Sequence, residues 1–327
     1  MRVLSGVRPT SLLHIGNYFG AISQWLQMQE KHDCFFFIAD LHAITEPTSY
    51  GPILADNTLD VAASYIAAGL NPKKCLLYVQ SDIPEHTELA WIFSTLIPLG
   101  ELERMTQYKD LQKKYGSSIN AGLLTYPALM AADILIYKAN AVPVGEDQQQ
   151  HVELTRTIAR KFNSKFGKVF PEPIAIIAKS GARLKSLTDP SKKMSKSDPS
   201  QSYIGIFDAP QVIKEKIMRA TTDSGSEIKF DEKNKPAISN LLTIYHLFSQ
   251  MTVSSIEQKF KGKGYASFKT ALADLIIEKL QPLQEKQKQL LKNKEKLVSI
   301  LNAGTKKARL IAQKTLKEVK RKIGLIV

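Results

Sequence analysis

The first half of the chain alternates two textures. Continuous apolar runs occur at 3–7, 34–41, 75–79 and 141–144. Runs without polar alternation suit strands buried on both faces of a parallel sheet. Between them, apolar positions recur at helical spacing: Phe19, Ile22 and Leu26 over 16–31, and Leu59, Ala62, Ile66 and Leu70 over 58–70. Strands alternating with helices predict right-handed βαβ crossovers and so an α/β fold with a doubly wound parallel sheet.

After residue 200 only helical patterns remain. Pro210 opens one helix, a second lies near 240–250, a third near 271–280, and Pro282 is expected to interrupt the chain after it. Residues 284–297 are rich in lysine and glutamine. The last segment, 305–323, sets Ala308, Ala312, Leu316, Val319 and Ile323 at helical spacing. The expected organisation is an α/β domain over 1–188, a loop and linker over 189–200, and a C-terminal helical domain over 201–327. Its last helix is a candidate to pack back on the first domain. No internal repeat is present.

Composition changes this picture little. The chain has 327 residues, 43% hydrophobic and 23% charged, which suits a globular protein of two domains. No apolar run approaches the ~20 residues of a membrane helix, and the N-terminal MRVLSGVRPT lacks the apolar core of a secretory signal. Cys34 and Cys75 lie in apolar strand-like runs, as buried free thiols would, so a reducing cytoplasm is expected. The net charge of +14 raises the odds of a polyanionic partner, although solvated lysine surfaces are also common.

Candidate chemistry sits at two places. The first strand runs into GVRPTSLLHIGNYFG, where Pro9 and Thr10 break the strand and a helix starts near Gly16. A strand-to-helix loop of this kind offers backbone N–H groups and the positive helix end to a phosphate. His14 and Asn17 are expected to add side-chain donors, and Gly16 allows a nucleotide to approach the backbone closely. Neither GxxxxGK[ST] nor GxGxxG occurs, and taken alone HIGN reads equally well as a neutral capping turn. The second place is DPSKKMSKSDPS at 189–200, a polar loop of lysines and serines between two Asp-Pro steps, readable as a solvated linker or as a phosphate clamp. The string KMSKS arises by chance on the order of once in ten thousand chains of this length.

HIGN followed by KMSKS resembles the class I aminoacyl-tRNA synthetases. The segments GELERMTQYK (100–109), AGLLTYPALMAADILIY (121–137), VPVGEDQQQHVELTRTIARKFN (142–163) and GARLKSLTDPSKKMSKSDP (181–199) are similar to the bacterial tryptophanyl-tRNA synthetase family over nearly the whole chain. The GEDQ wording favours tryptophan over tyrosine. The resemblance implies a Rossmann-type sheet in which Arg8, Pro9, Thr10, Gly16 and Asn17 line the ATP site from one side, with His14. Gly145, Glu146 and Asp147 meet ATP at its ribose or adenine end, and Leu184 touches the adenine. Lys193, Met194, Ser195, Lys196 and Ser197 hold the phosphates, with Lys193, Lys196, Ser195, Asn17 and His14 counted as the catalytic groups. Asp133 recognises the indole, with Tyr126, Met130 and His42 beside it.

Asp133 also has a reading from the residues alone. On a helix through 124–137, Tyr126, Met130 and Asp133 share a face, and indole N–H, a donor only, matches an ionised carboxylate, an acceptor only. A lysine partner or a cap at a helix break is the plainer alternative. Departures from the family pattern are Arg8 in place of glutamine and Ser11 in place of glycine. Leu111 falls where relatives carry a lysine, with Lys109, Lys113 and Lys114 as substitutes, and Thr157 replaces an aspartate. The resemblance implies activation of L-tryptophan by ATP, with Mg2+, and transfer to tRNA(Trp) by a homodimer. A tyrosyl-specific synthetase, a small-molecule adenylyltransferase and a non-catalytic tRNA-binding paralogue are the alternatives.

Overall fold

Five parallel strands frame the protein: β1 (Arg2–Val7), β2 (Asp33–Ile38), β3 (Leu76–Val79), β4 (Ala141–Val144) and β5 (Ile174–Ile177), in the order β3-β2-β1-β4-β5. The computed structural model describes residues 1–9, 13–46, 51–116, 119–177, 184–195 and 198–327, with Lys114 by its backbone only. The helices are α1 (15–28, with a π-helical turn over Tyr18–Ile22), α2 (Asp40–Ala43), α3 (Pro52–Ala67), α4 (Glu85–Ser94), α5 (Leu99–Glu103), α6 (Thr106–Tyr115), α7 (Ala121–Ile136), α8 (Gln149–Phe166), α9 (Pro210–Arg219), α10 (Pro236–Ser249), α11 (Val253–Lys259), α12 (Tyr265–Lys292) and α13 (Lys294–Ile323).

The strands are apolar throughout because both faces are covered. Val3, Cys34, Phe36, Ile38, Leu77 and Val79 enter one core with α1, α3 and the helices α9–α12. Leu4, Phe35, Phe37 and Tyr78 enter the other with α4, α7, α8 and α13. Helices on both faces of a parallel sheet make the doubly wound α/β fold expected from the pattern. Cys34 and Cys75 are buried free thiols, and burial pushes them up to about 11 and about 12.

Several elements differ from the pattern-based expectation. β5 is not among the strands read from the pattern, although Ile174–Ile177 is an apolar run of its own; it follows Pro171 and Pro173 at the sheet edge, where Ile174 is still 49% exposed. The run at 34–41 is strand only to Ile38, after which the chain turns into α2. Pro282 does not interrupt a helix, since α12 runs through it. Its flanks are pinned: Leu272, Ile276 and Leu280 are buried, and Gln284 donates to the carbonyls of Ile206 (2.8 Å) and Asp208 (3.0 Å). The polar stretch 284–297 is likewise not all solvated. Gln287 is buried and donates to Asp60 (2.9 Å) and Ser64 (3.0 Å) on α3.

The helix at the end of the chain lies against β3 and α4. Ala308, Ala312, Leu316 and Val319 are buried in the second core, and Arg309 meets Glu85 at 3.1 Å. Gly304 marks the closest approach, where a Cβ would stand 2.0 Å from the Leu77 carbonyl oxygen. No helix among the described residues is long and apolar enough to cross a membrane. Any side chain at 304 must push α13 off the sheet. Gly304→Val is expected to lower unfolding free energy by about 3 kcal/mol, in the range of overpacked cores, as read from the urea midpoint; an unchanged midpoint would contradict the close contact.

Candidate active site

The strand order places a switch point between β1 and β4. The chain winds outward through β2 and β3, then returns to add β4 on the other side of β1. In open α/β sheets, ligands bind in the crevice outside the carboxyl ends of the strands at such a point. Here Arg8 and Pro9 leave β1 while Gly145, Glu146 and Asp147 leave β4. Thr10 lies outside the described residues. A Cβ on Gly145 would sit 2.6 Å from Asp147 Oδ1, so the bare backbone lets the Asp147 carboxylate fold back over this turn.

The turn at 14–17 is self-capped. The Gly16 N–H donates to His14 Nδ1 (3.1 Å) and the His14 N–H donates to Asn17 Oδ1 (3.2 Å), a reciprocal capping box. His14 Nδ1 and Asn17 Oδ1 accept here and fix the turn, and an accepting Nδ1 puts the proton of a neutral imidazole on Nε2, so each side chain keeps the donor expected from sequence. The segment 13–15 pairs with 204–206, through Ile15 N–H to the Ile204 carbonyl (3.0 Å) and Ile206 N–H to the Leu13 carbonyl (2.9 Å).

Met194 comes to the same turn, and Lys193 stands opposite Lys185 just before it. The Met194 N–H donates to the Leu184 carbonyl (2.9 Å) and Ser186 N–H to the Lys192 carbonyl (3.0 Å). Both Met194 and Leu184 are buried in the first core. Met194 Sδ stands 3.8 Å from where a Cβ of Gly16 would be. So the core side chain of the lysine-serine loop packs behind the turn and leaves the Lys193 side chain exposed. Asp189 accepts from the Ser191 N–H (3.1 Å) and hydroxyl (2.6 Å), which with Lys192 hold its carboxyl below the ordinary range. Lys196 and Ser197 lie outside the described residues.

The second half of the site is a buried carboxylate. Asp133 is 1% exposed. Its Oδ2 meets His42 Nε2 at 2.8 Å, its Oδ1 meets His86 Nδ1 at 2.5 Å, and Gln80 Nε2 donates to both at 2.8 and 2.9 Å. Among the described residues, neither the lysine partner nor the helix cap considered from sequence is present. Burial would raise the carboxyl, but the bonds from His42 and His86 outweigh it and hold it below the carboxylate range. His86 continues to the Tyr137 hydroxyl at 2.7 Å.

Tyr126 and Met130 precede Asp133 on α7, both half-buried. The His42 and Tyr126 rings lie edge to face at 6.2 Å. The Tyr126 hydroxyl meets Gln107 Oε1 (3.0 Å) and His151 Nε2 (2.7 Å). Gln107 in turn donates to Asp147 Oδ2 (3.2 Å), so one chain of bonds joins the Asp133 wall to the β4 turn. Burial pushes the His151 imidazole down to about 4 and the Tyr126 phenol up to about 12, and both stay neutral at ordinary pH. Arg8 pairs with Glu46 at 2.5 Å.

The structure thus brings Met194 to the turn of His14, Gly16 and Asn17, with Lys193 beside it in the chain, and sets His42, Tyr126 and Asp133 together with Met130 on the same helix; Arg8 is held by Glu46, and its charge is felt at Tyr126. Sequence reasoning missed Gln80, His86, Gln107 and His151. Two of these flank motifs it did quote, Gln107 inside GELERMTQYK and His151 after GEDQQQ. Nothing local marked Gln80 or His86.

The chain matches the model of the class I tRNA synthetases of the W and Y group over residues 1–281. It is 50% identical to the tryptophan–tRNA ligase of Caldanaerobacter subterraneus subsp. tengcongensis, over 100% of this chain and 99% of the relative. It is 49% identical to that of Bacillus anthracis, over 99% and 98%. The fold superposes on the tryptophanyl-tRNA synthetase of Campylobacter jejuni complexed with ADP and tryptophan with a TM-score of 0.90, at 40% identity, covering 99% of this chain and 100% of that one. A tyrosyl-tRNA synthetase from Aeropyrum pernix shares the fold at 19% identity, with a TM-score of 0.64 over 93% of this chain and 89% of that one. The chain belongs to the class I tRNA synthetases for tryptophan and tyrosine and, within them, to the bacterial tryptophan–tRNA ligases.

Proposed function

We propose that this protein activates L-tryptophan with ATP to tryptophanyl-adenylate and pyrophosphate, then passes the tryptophanyl group to tRNA(Trp), releasing AMP. The observation that carries the reading is the crevice at the β1/β4 switch point, with a capped glycine turn and a lysine loop at one end and a buried ionised carboxylate at the other. The two ends suit the two substrates.

ATP lies against the turn at 14–17, with Arg8, Pro9 and Thr10 beside it and its ribose or adenine toward Gly145, Glu146 and Asp147. Leu184 and Met194 are buried behind the loop, so they shape its floor, and the backbone there approaches the nucleotide. Lys193 and Lys196, with Ser195 and Ser197, meet the charge that builds on the leaving pyrophosphate. The nucleophile is the amino acid's own carboxylate, ionised at neutral pH, so no general base is required. Catalysis is positioning and charge stabilisation. This donor set of ammonium groups and hydroxyls fits phosphate oxygens and not a metal ion. Mg2+ therefore enters on the ATP phosphates, the hard oxygen ligands it prefers.

Tryptophan lies along Tyr126 and Met130 with its indole N–H on Asp133. Each Asp133 oxygen already accepts two bonds, which fills the roughly four acceptor sites of a carboxylate. His42 is 12% exposed where His86 is fully buried, so the indole N–H replaces the His42 bond. Phenylalanine seated in the same slot displaces His42 without supplying a donor in its place, which leaves the carboxylate one bond short, and such a site rejects the analogue.

The helical region 201–327 offers the basic surface for the tRNA anticodon. Trp91 on α4 and Leu99 on α5 are 73% and 59% exposed, an apolar surface that suits the face of a homodimer. Two buried free thiols suit a cytoplasmic protein.

Tryptophan-dependent ATP–pyrophosphate exchange, run beside tyrosine and phenylalanine, is the first test, and exchange with tryptophan alone is the expected result. Asp133→Asn, which removes a charge-assisted acceptor, is expected to raise the KM for tryptophan by about a hundredfold; an unmoved KM would take Asp133 out of the pocket. Lys196→Ala is expected to slow single-turnover activation by about a hundredfold, as loss of one preorganised donor does. Equal activation rates in the two proteins would remove the loop from the chemistry. In sedimentation, Trp91→Glu is expected to shift a dimer to monomer, and a dimer that persists would place the interface elsewhere.

A further inference from the structure

One residue of the first C-terminal helix is a buried cation that contacts no part of the crevice. Lys216 on α9 is 4% exposed. Its ammonium group donates to Asp208 Oδ2 at 2.7 Å and lies 4.9 Å from the Tyr203 ring centroid. Among the described residues, nothing at this depth needs a charge for packing. A buried ion pair contributes little stability compared with apolar side chains of the same volume; where such pairs have a use, it is to fix one arrangement of the chain.

The arrangement fixed here is that of the 203–208 segment. Asp208 Oδ2 also accepts the Gly205 N–H at 2.8 Å, and a Cβ on Gly205 would fall 2.7 Å from Asp208 Oδ1. So the carboxylate folds back over Gly205 and holds it between the ammonium group and the neighbouring strand-like segment. Gly205 stands opposite His14. The residues beside it, Ile204 and Ile206, exchange the two backbone bonds with Ile15 and Leu13, and the Tyr203 ring stands 5.9 Å from the His14 ring. From the far side, Gln284 of α12 donates to the carbonyls of Ile206 and Asp208. The segment is held by two helices and, in turn, holds the capped turn.

We propose that Lys216 and Asp208 are positioning residues for the ATP turn: through Gly205 they set where 13–17 stands, and so tie nucleotide binding to the placement of α9 and α12. The inference rests on the reading of 14–17 as the ATP turn. Its effect is confined to one substrate. Leu13 and Ile15 belong to the first core with Ile204 and Ile206, whereas the neighbours of Asp133 on α7 belong to the second, across the sheet.

The test measures ATP–pyrophosphate exchange on the full chain at varied ATP and varied tryptophan, together with thermal melting. Lys216→Met removes the charge at similar volume. It is expected to raise the KM for ATP about tenfold while the KM for tryptophan stays within about twofold, since sub-ångström misplacement of a binding group is costly. Lys216→Arg, which keeps the charge, is expected to recover most of the loss. A rise in both constants alike, or a lower melting temperature with an unmoved KM for ATP, would overturn the proposal and leave the pair purely structural. Should Lys216→Met not fold, Asp208→Asn keeps the shape and carries the same expectations. Asn17→Ala separates the two levels: if it leaves the KM for ATP unmoved, the reading of the turn itself is wrong. If it raises that KM and the Lys216 and Asp208 variants do not, only the positioning role is lost.

Discussion

The carboxylate of Asp133 is the constraint around which the site is organised. A buried charge is tolerated only when donors surround it, and the donors come from separate elements. His42 lies on α2 just after β2, Gln80 follows β3 and His86 lies on α4. The carboxylate is satisfied only when the sheet has assembled and α7 has docked on α4. The geometry around this carboxylate and the formation of the fold therefore draw on the same set of contacts.

The sheet separates two kinds of work. The turn at 14–17 and the loop beside it grow from the first core, the Asp133 wall from the second, and they meet only at the carboxyl ends of β1 and β4. The bonded path from Tyr126 through Gln107 to Asp147 crosses between them. A reaction that joins an amino-acid carboxylate to a nucleotide phosphate needs both ends fixed relative to each other. A parallel sheet closed by helices on both faces supplies that stiffness.

Legibility followed the range over which each feature is determined. Four strands were readable because burial leaves an apolar run; β5 carries such a run too, but two prolines directly before it read as loop. The face carrying Tyr126, Met130 and Asp133 was readable because it lies within one helix. The partners of Asp133 were not, since they lie 91, 53 and 47 residues away. Pro282 misled for a related reason. Proline does carry a local cost in a helix, but the contacts that pin α12 on either side of it come from α3 and the 203–208 segment, which no window around residue 282 contains.

Charge shows the same division between local and distant causes. A net +14 invites the view that the helical region is basic in order to meet RNA, yet two of its lysines are interior. Lys216 is paired with Asp208, and Lys269 donates to the carbonyls of Met218 and Ala220 at 3.1 and 2.6 Å. These carbonyls close the C-terminal end of α9, where a cation is favoured. Lys216 of α9 thus reaches back to Asp208 ahead of that helix, and Lys269 reaches the other end of α9 from α12. The first bond ties α9 to the segment that carries Gly205, and the second ties it to α12. The exposed charge of the helical region is therefore smaller than composition suggests, and these two lysines hold α9 to its neighbours instead.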